Sequence, residues 1–400
     1  MSALHPFRAL RPDPAAAARV ASVPYDVVST DEARALAKSN PLSFLRITRS
    51  EIDLPPGTDP YSEAVYAQAV RNFEDLKRAA PMVMDDEKSL YFYRLRMGEH
   101  EQTGLAGCFS LDEYDSGSIK KHEKTRKDKE DDRTRHISEL RAQTGVVFLT
   151  YRASAAVDAV AARVTAGAPL YALTAEDGIV HTVWRVSGDD VQALVRAFAE
   201  LPALYIADGH HRAASAARAR GIVKSAEANT FIAVAFPDAQ VQILPYNRTV
   251  KDLAGQTAES LLAAIRAKAK VEPGGPAPAR KGDVSMFLGG NWYCVTLPPS
   301  PAGTSAADVL DVAVLQRELL EPLLHVGDPR TDKRIDFVGG ARGTDELERL
   351  VSSGKAAIAF SLHPVSVSDL VAISDAGGIM PPKSTWFEPK LRDGLLVHLI

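Results

Sequence analysis

The chain has 400 residues, 46% of them hydrophobic, two cysteines and a formal net charge of −4. That length implies two or three substructures with ample material for a core, and the near-balanced charge gives no reason to expect nucleic acid or a membrane surface as partner. Cys108 and Cys294 each sit in a strand-like apolar segment, which excludes a disulfide framework. No stretch approaches the roughly 18 apolar residues of a membrane span, and Met1–Arg8 has no apolar signal core, so a cytoplasmic protein is expected.

In chain order, Ser29-Thr30-Asp31-Glu32 reads as a capping box opening a helix over Ala33–Lys38, with Asn40-Pro41 beyond its end. Residues 61–78 place Val65, Ala69, Phe73 and Leu76 at helical spacing and predict a long amphipathic helix. Leu90–Met97 and Thr103–Leu111, around Gly98-Glu99-His100, predict a β-hairpin. A charged run fills 120–135, followed by an apolar strand over Val146–Tyr151. From there helix and strand signals alternate: helices near 154–164, 189–199 and 211–220, and strands over 181–186, 203–207, 230–236 and 240–244. Pro273–Pro278 and Pro298–Pro301 are loop segments flanking short strands at 284–288 and 292–297. The pattern predicts an α/β (mixed α+β) chain in three parts: an N-terminal segment over 1–115, a central phosphate-binding core over 116–270, and a C-terminal α/β segment over 271–400.

The most informative stretch is Asp208-Gly209-His210-His211-Arg212. It lies between the apolar run Ala203–Ala207 and the alanine-rich stretch Ala213–Ala219, an order that reads as strand, glycine turn and helix start. A helix N-terminus favours anions, because its first N–H groups are unpaired and its dipole is positive there. Two imidazoles and a guanidinium at that spot point to phosphate. Taken singly, the same residues serve as a helix cap, with Asp208 as the N-cap, or as a solvated pair of histidines.

The charged run Lys120–His136 carries eight Lys/Arg against five Asp/Glu. It reads either as a solvated helix stitched by pairs such as Glu123 with Lys127, or as a phosphate clamp. In the second reading Glu123, set among His122, Lys124, Thr125 and Arg126, holds Mg²⁺ or takes a proton from a hydroxyl nucleophile. A third stretch, Met380–Lys390, offers one cation and two hydroxyls at Lys383-Ser384-Thr385, behind the flexible pair Gly377-Gly378. It reads equally as a rigid loop packed by Trp386 and Phe387. Asn247 and Arg248, at a strand end, form a weaker candidate, and Pro24-Tyr25-Asp26 and Asn40–Arg46 are weaker still. The chain lacks a Walker loop, a dinucleotide Gly-x-Gly-x-x-Gly and a Gly-x-Ser-x-Gly elbow. Adjacent His210 and His211 with no cysteine cluster are a poor zinc site.

Together, Asp208–Arg212, His122-Glu123-x-Thr125 and Met380–Thr385 resemble a bacterial and archaeal family long left uncharacterised, over nearly the whole chain. More distantly, the Glu123 segment and the Asp208–Arg212 turn resemble the two nucleotide-binding boxes of the ParB/sulfiredoxin-like fold, which includes free-serine kinases. That resemblance implies a ParB/sulfiredoxin-like core with a mixed sheet, elaborated at both ends. A sulfiredoxin activity would need a cysteine beside the turn, and a DNA-partition role would need a helix-turn-helix and a basic face; neither is seen.

The expectation is a small-molecule kinase moving a phosphoryl group from ATP or ADP to a hydroxyl metabolite, free L-serine foremost. His210, His211 and Arg212 would hold the phosphates and Gly209 would shape the turn. Asp208 would orient these groups or ligate Mg²⁺ with Glu123, and Glu123 would be the base. Lys124, Thr125, Arg126 and Lys383-Ser384-Thr385 would complete the clamp. Two alternatives stand beside it. One is a phosphoserine-type monoester hydrolase with His210 or His211 as nucleophile or acid; the other is a nucleotide-binding switch without metabolic activity. The oligomeric state is left open.

Overall fold

The computed structural model describes residues 3–79 and 82–400. They divide into two compact units, one running to Val241 and joined by Pro389–Ile400, the other formed by Gln242–Glu388. The expected boundaries therefore shift. Position 115/116 falls inside the first unit, where Ile119–Lys120 pairs in the same sheet as the hairpin before it. Position 270/271 falls inside a strand of the second unit, Lys270–Pro273. Composition could not reveal this arrangement, because the last twelve residues return to the first unit as a strand.

The first unit is built on a nine-stranded mixed sheet. Its path runs Ile119–Lys120, Leu204–Asp208, Val147–Tyr151, Thr230–Pro237, His100–Ser110, Tyr91–Met97, Val180–Arg185 and Tyr171–Thr174, with Leu4–His5 added against His100–Ser110. Leu204–Asp208 runs parallel to Ile119–Lys120, and Thr230–Pro237 runs parallel to Val147–Tyr151; the remaining pairings are antiparallel. The hairpin closes as expected, with Met97 opposite His100. Helices Ala155–Thr165 and Asp189–Ala199 bury Val157, Val160, Leu194 and Phe198 against Leu149, Phe109 and Phe231. Gly104 is required by packing, since a Cβ there would lie 2.6 Å from Val234 Cγ1 and 2.8 Å from the Phe236 ring.

A second core of this unit lies under a four-stranded antiparallel sheet, Met82–Met84, Ala9–Pro12, Val397–Leu399 and Ala142–Gln143. The helix Glu63–Ala79 buries Val65, Tyr66, Ala69, Phe73 and Leu76, the face its spacing predicts. The capping box at Ser29 and Glu32 forms at the head of helix Thr30–Ala37. The second part of the charged run forms helix Lys127–Leu140, which packs on helix His210–Val223, while residues 121–126 form a loop. Ser215 Oγ donates to the Glu130 carbonyl at 3.2 Å, and Arg218 pairs with Glu130 and Asp131.

In the second unit six antiparallel strands are ordered Lys270–Pro273, Asn291–Thr296, Asp283–Leu288, Ile358–Leu362, Tyr246–Val250 and Ile335–Gly339. The expected strand over 240–244 is shorter, Gln242–Leu244, because Asp238–Gln240 forms a single 3₁₀ turn; it pairs with Trp386–Glu388. Cys108 is buried, whereas Cys294 is only half-buried; both are free thiols. The fold is thus a mixed α/β fold with a large mixed sheet, and no helix among the described residues is long and apolar enough to cross a membrane.

Candidate functional site

The turn that opens the site is cut into the end of a strand. Leu204–Asp208 pairs with Val147–Tyr151, and the register slips by one residue between Ile206 and Asp208. A bulge of this kind bends a strand and re-aims the side chain beyond it. Asp208 is therefore the last strand residue, not the N-cap. The cap is Gly209, at φ +92° and ψ 30°, a left-handed conformation that glycine adopts without strain. No side chain caps the helix, and its first hydrogen bond of the i to i−4 kind runs from Ala213 N–H to the Gly209 carbonyl. First-turn amides have no partner within a helix itself, which is why a helix start of this kind suits an anion.

The two histidines are placed differently from the expected pair of phosphate cations. His210 is 4% exposed, and its Nε2 accepts from the His122 backbone N–H at 3.4 Å. Its Nδ1 lies 3.7 Å from Glu123 Oε2. Burial first, then His122, His211 and Lys121, hold the imidazole well below its ordinary pKa, outweighing Asp208. A neutral ring that accepts at Nε2 carries its proton on Nδ1, the atom that faces Glu123. His211 Nε2 in turn accepts from the Arg126 backbone N–H at 3.0 Å. The histidine pair therefore pins both ends of the loop His122–Arg126 across the start of the helix, leaving Glu123 at its crest with 43% of its side chain exposed.

His122 is itself 2% exposed, stands edge-on to the His210 ring with centroids 4.4 Å apart, and is lowered to about 4, mainly by burial. Lys124 is exposed. Thr125 Oγ1 donates to Glu130, and the Arg126 guanidinium pairs with Asp128 at 2.8 Å. The expected pair of Glu123 with Lys127 gives way to Lys127 with Asp131 at 2.7 Å.

Arg212 is turned inward. It donates to the Val146 carbonyl and to Asp26 at 3.2 Å, and lies 3.9 Å from Asp208 Oδ1. Burial disfavours its charge, but Asp26, Asp208 and Asp393 together raise its pKa. It borders a cavity of about 20 Å³ shared with Tyr25, Arg133 and Gly145, room for one water.

Lys390, on the segment that returns from the second unit, donates to Asp208 Oδ2 at 2.9 Å. Burial opposes ionisation of Asp208, yet Lys390 and Arg212 hold its carboxyl well below the usual carboxylate range. With one oxygen on Lys390 and the other facing Arg212, the Asp208 charge is already compensated, which leaves little to attract Mg²⁺ to it. The expected Mg²⁺ role does not fit Asp208.

Asn247, Arg248, Lys383, Ser384 and Thr385 belong to the second unit and are accounted for within it. Asn247 Oδ1 accepts from the Leu362 amide at 3.1 Å, Arg248 donates to the carbonyls of Pro382 and Lys383, and Ser384 Oγ donates to the Pro381 carbonyl at 2.6 Å. Lys383 sits at φ +56° with its ammonium 5.4 Å from the Tyr246 ring centroid, and Thr385 is half-buried. Sequence reasoning missed Lys390 and Asp393 and ranked Asp26 low. Lys390 closes the Met380–Lys390 stretch, so a signal was present; Asp393 has none.

A family described as "Protein of unknown function (DUF1015)" matches residues 4–315, and the chain belongs to it. No curated protein matches the chain. Among solved structures, a C-terminally truncated SbnI from Staphylococcus aureus is similar over 74% of this chain and 87% of its own, at 14% identity and a TM-score of 0.41. A conserved hypothetical protein from Pyrococcus furiosus covers 74% and 95%, at 13% identity and 0.37. A free serine kinase in complex with AMP covers 73% and 91%, at 12% identity and 0.37.

Proposed function

We propose that this member of the DUF1015 family binds a nucleotide's phosphates at the Asp208–Arg212 turn and transfers a phosphoryl group to a small hydroxyl metabolite, free L-serine foremost. The observation that carries the reading is the placement of Glu123. Eighty-five positions before Asp208 in sequence, it stands 3.7 Å from the buried His210 imidazole, at the uncapped start of a 14-residue helix. A partly exposed carboxylate beside a helix N-terminus puts a proton acceptor next to an anion cradle, the arrangement phosphoryl transfer needs.

In this reading the first-turn amides hold phosphate oxygens. Glu123 accepts the hydroxyl proton as the hydroxyl oxygen attacks the terminal phosphorus. The bond from phosphorus to the bridging oxygen breaks, and its electron pair leaves with the nucleotide, giving ADP from ATP or AMP from ADP. His210 remains neutral and turns its Nδ1–H towards Glu123, 3.7 Å away. Lys390 keeps Asp208 ionised and so holds Arg212 in place. Mg²⁺, if used, enters with the nucleotide phosphates rather than on Asp208.

A phosphohistidine hydrolase needs an accessible imidazole nitrogen, whereas His210 is buried with Nε2 engaged and His211 Nε2 accepts from the Arg126 amide. The kinase reading is therefore preferred over the hydrolase. The test is phosphoserine formation by purified protein with L-serine, Mg²⁺ and either ATP or ADP. Glu123→Gln is expected to lower kcat at least 100-fold, the lower range of general-base contributions. Full activity in that variant would remove the base assignment. Phosphate release from phosphoserine without nucleotide would favour the hydrolase. Tight nucleotide binding with no turnover would favour a switch.

A further inference from the structure

Phosphoryl transfer needs positive charge on the phosphate oxygens, and the turn supplies less of it than its residue types suggest. His210 is neutral and buried, and His211 Nε2 accepts from the Arg126 amide. Arg212 points inward, to the Val146 carbonyl and Asp26. On the neighbouring loop and helix, Arg126 pairs with Asp128 and Lys127 with Asp131, while the Lys121 ammonium lies 3.7 Å from the Tyr114 ring centroid. Lys124 is exposed.

Lys390 stands apart from these. It reaches the turn from the segment Pro389–Ile400, and its Nζ lies 2.9 Å from Asp208 Oδ2. Asp208 immediately precedes Gly209, the N-cap of helix His210–Val223, so the ammonium sits beside the start of that helix. A cation there is disfavoured by the helix dipole unless an anion offsets it, and Asp208 is the anion in this structure. The pair is not sealed, since 30% of the Asp208 side chain and 12% of the Lys390 side chain are exposed. An ammonium carries three protons, so one such group can serve a carboxylate and a phosphate oxygen together.

We propose that Lys390 is the phosphate-binding cation of this site. Its ammonium, held at the helix start by Asp208, donates to an oxygen of the bound phosphates and keeps its proton throughout. Asp208 is then a positioning residue, which fixes the ammonium before the ligand arrives and competes with the ligand for it. The proposal rests on the phosphoryl-transfer reading for the nature of its ligand and adds the source of positive charge.

The experiment is calorimetric titration of the full-length protein with pyrophosphate and with ADP. Lys390→Met is expected to weaken both at least tenfold, the effect of losing one charge-assisted hydrogen bond. Asp208→Asn removes the competing anion and is expected to bind both at least as tightly as the parent. A lysine that acts only through Asp208 predicts a loss in both variants instead. Should Lys390→Met fail to fold, Asp208→Asn and the parent decide: ADP is expected to slow reductive methylation of Lys390 at least threefold, read by peptide mass spectrometry. The proposal fails if folded Lys390→Met binds both ligands within threefold of the parent. It also fails if Asp208→Asn binds them at least tenfold more weakly, or if ADP leaves methylation of Lys390 unchanged. A parent that binds neither ligand ends the proposal and the phosphoryl-transfer reading together. Lys390-dependent binding with no phosphoserine formed keeps the proposal and ends the kinase reading.

Discussion

Lys390 reaches Asp208 across 182 positions of sequence, and its ammonium holds one oxygen while Arg212 faces the other. A carboxyl held below its unfolded value of about 3.9 contributes stability above that pH and loses it as pH falls. Replacing Lys390 by Met is expected to cost about 2 kcal/mol at pH 7, the range of a charge-assisted hydrogen bond. The gap to the parent should narrow as pH falls below about 4, where Asp208 becomes protonated in the variant while Lys390 keeps it ionised in the parent. Urea unfolding at pH 7 and pH 3 checks this, and an equal gap at the two would remove Lys390 from the account.

Asp393 behaves in the opposite sense. Burial, with Asp26, pushes its carboxyl up to about 7, while Arg212, the Val146 amide and Arg133 pull it down. A folded value above the unfolded one means stability is full below about pH 4 and is lost as pH rises through 7. Asp393→Asn, which has no proton to lose, should flatten that decline by a few kcal/mol. A stability curve that keeps its slope between pH 4 and 7 in the variant would contradict the assignment.

At the level of elements, the strand, turn and helix around Asp208–Arg212 were legible because each leaves a local signature: an apolar run, a glycine at positive φ, and an alanine-rich stretch. Ala213, Ala216 and Ala219 are buried in the core, so small residues let this helix approach the sheet closely. The bulge at Ile206/Asp208 was not legible, since an extra strand residue has no residue-type signature. The histidines' role was misread for a related reason. Their partners, the amides of His122 and Arg126, are backbone groups, which a sequence never distinguishes. Strand pairing supplies another test. Gly104→Ala would push a methyl into Val234 and Phe236 and should destabilise the first unit by about 1–3 kcal/mol, the usual cost of overpacking. Thermal unfolding reads this directly, and an unchanged midpoint would show that the neighbouring strand gives way.

For the whole molecule, the second unit is an insertion between Val241 and Pro389, and the strands of its six-stranded sheet pair with one another. A unit that keeps its own sheet pairings is expected to fold by itself. The fragment Gln242–Glu388 should therefore unfold cooperatively in isolation, as followed by circular dichroism; a gradual, non-cooperative melt would show that it depends on the rest of the chain. By itself the sequence determined the mixed α/β class, most element positions and the strand–glycine–helix turn, because periodicity, caps and glycine turns act over a few residues. Only the tertiary structure decided that Pro389–Ile400 returns to the first unit, that Glu123 meets His210, and that Lys390 and Arg212 share Asp208. Those contacts join residues tens to hundreds of positions apart. They are set by which faces bury together, which no local pattern encodes.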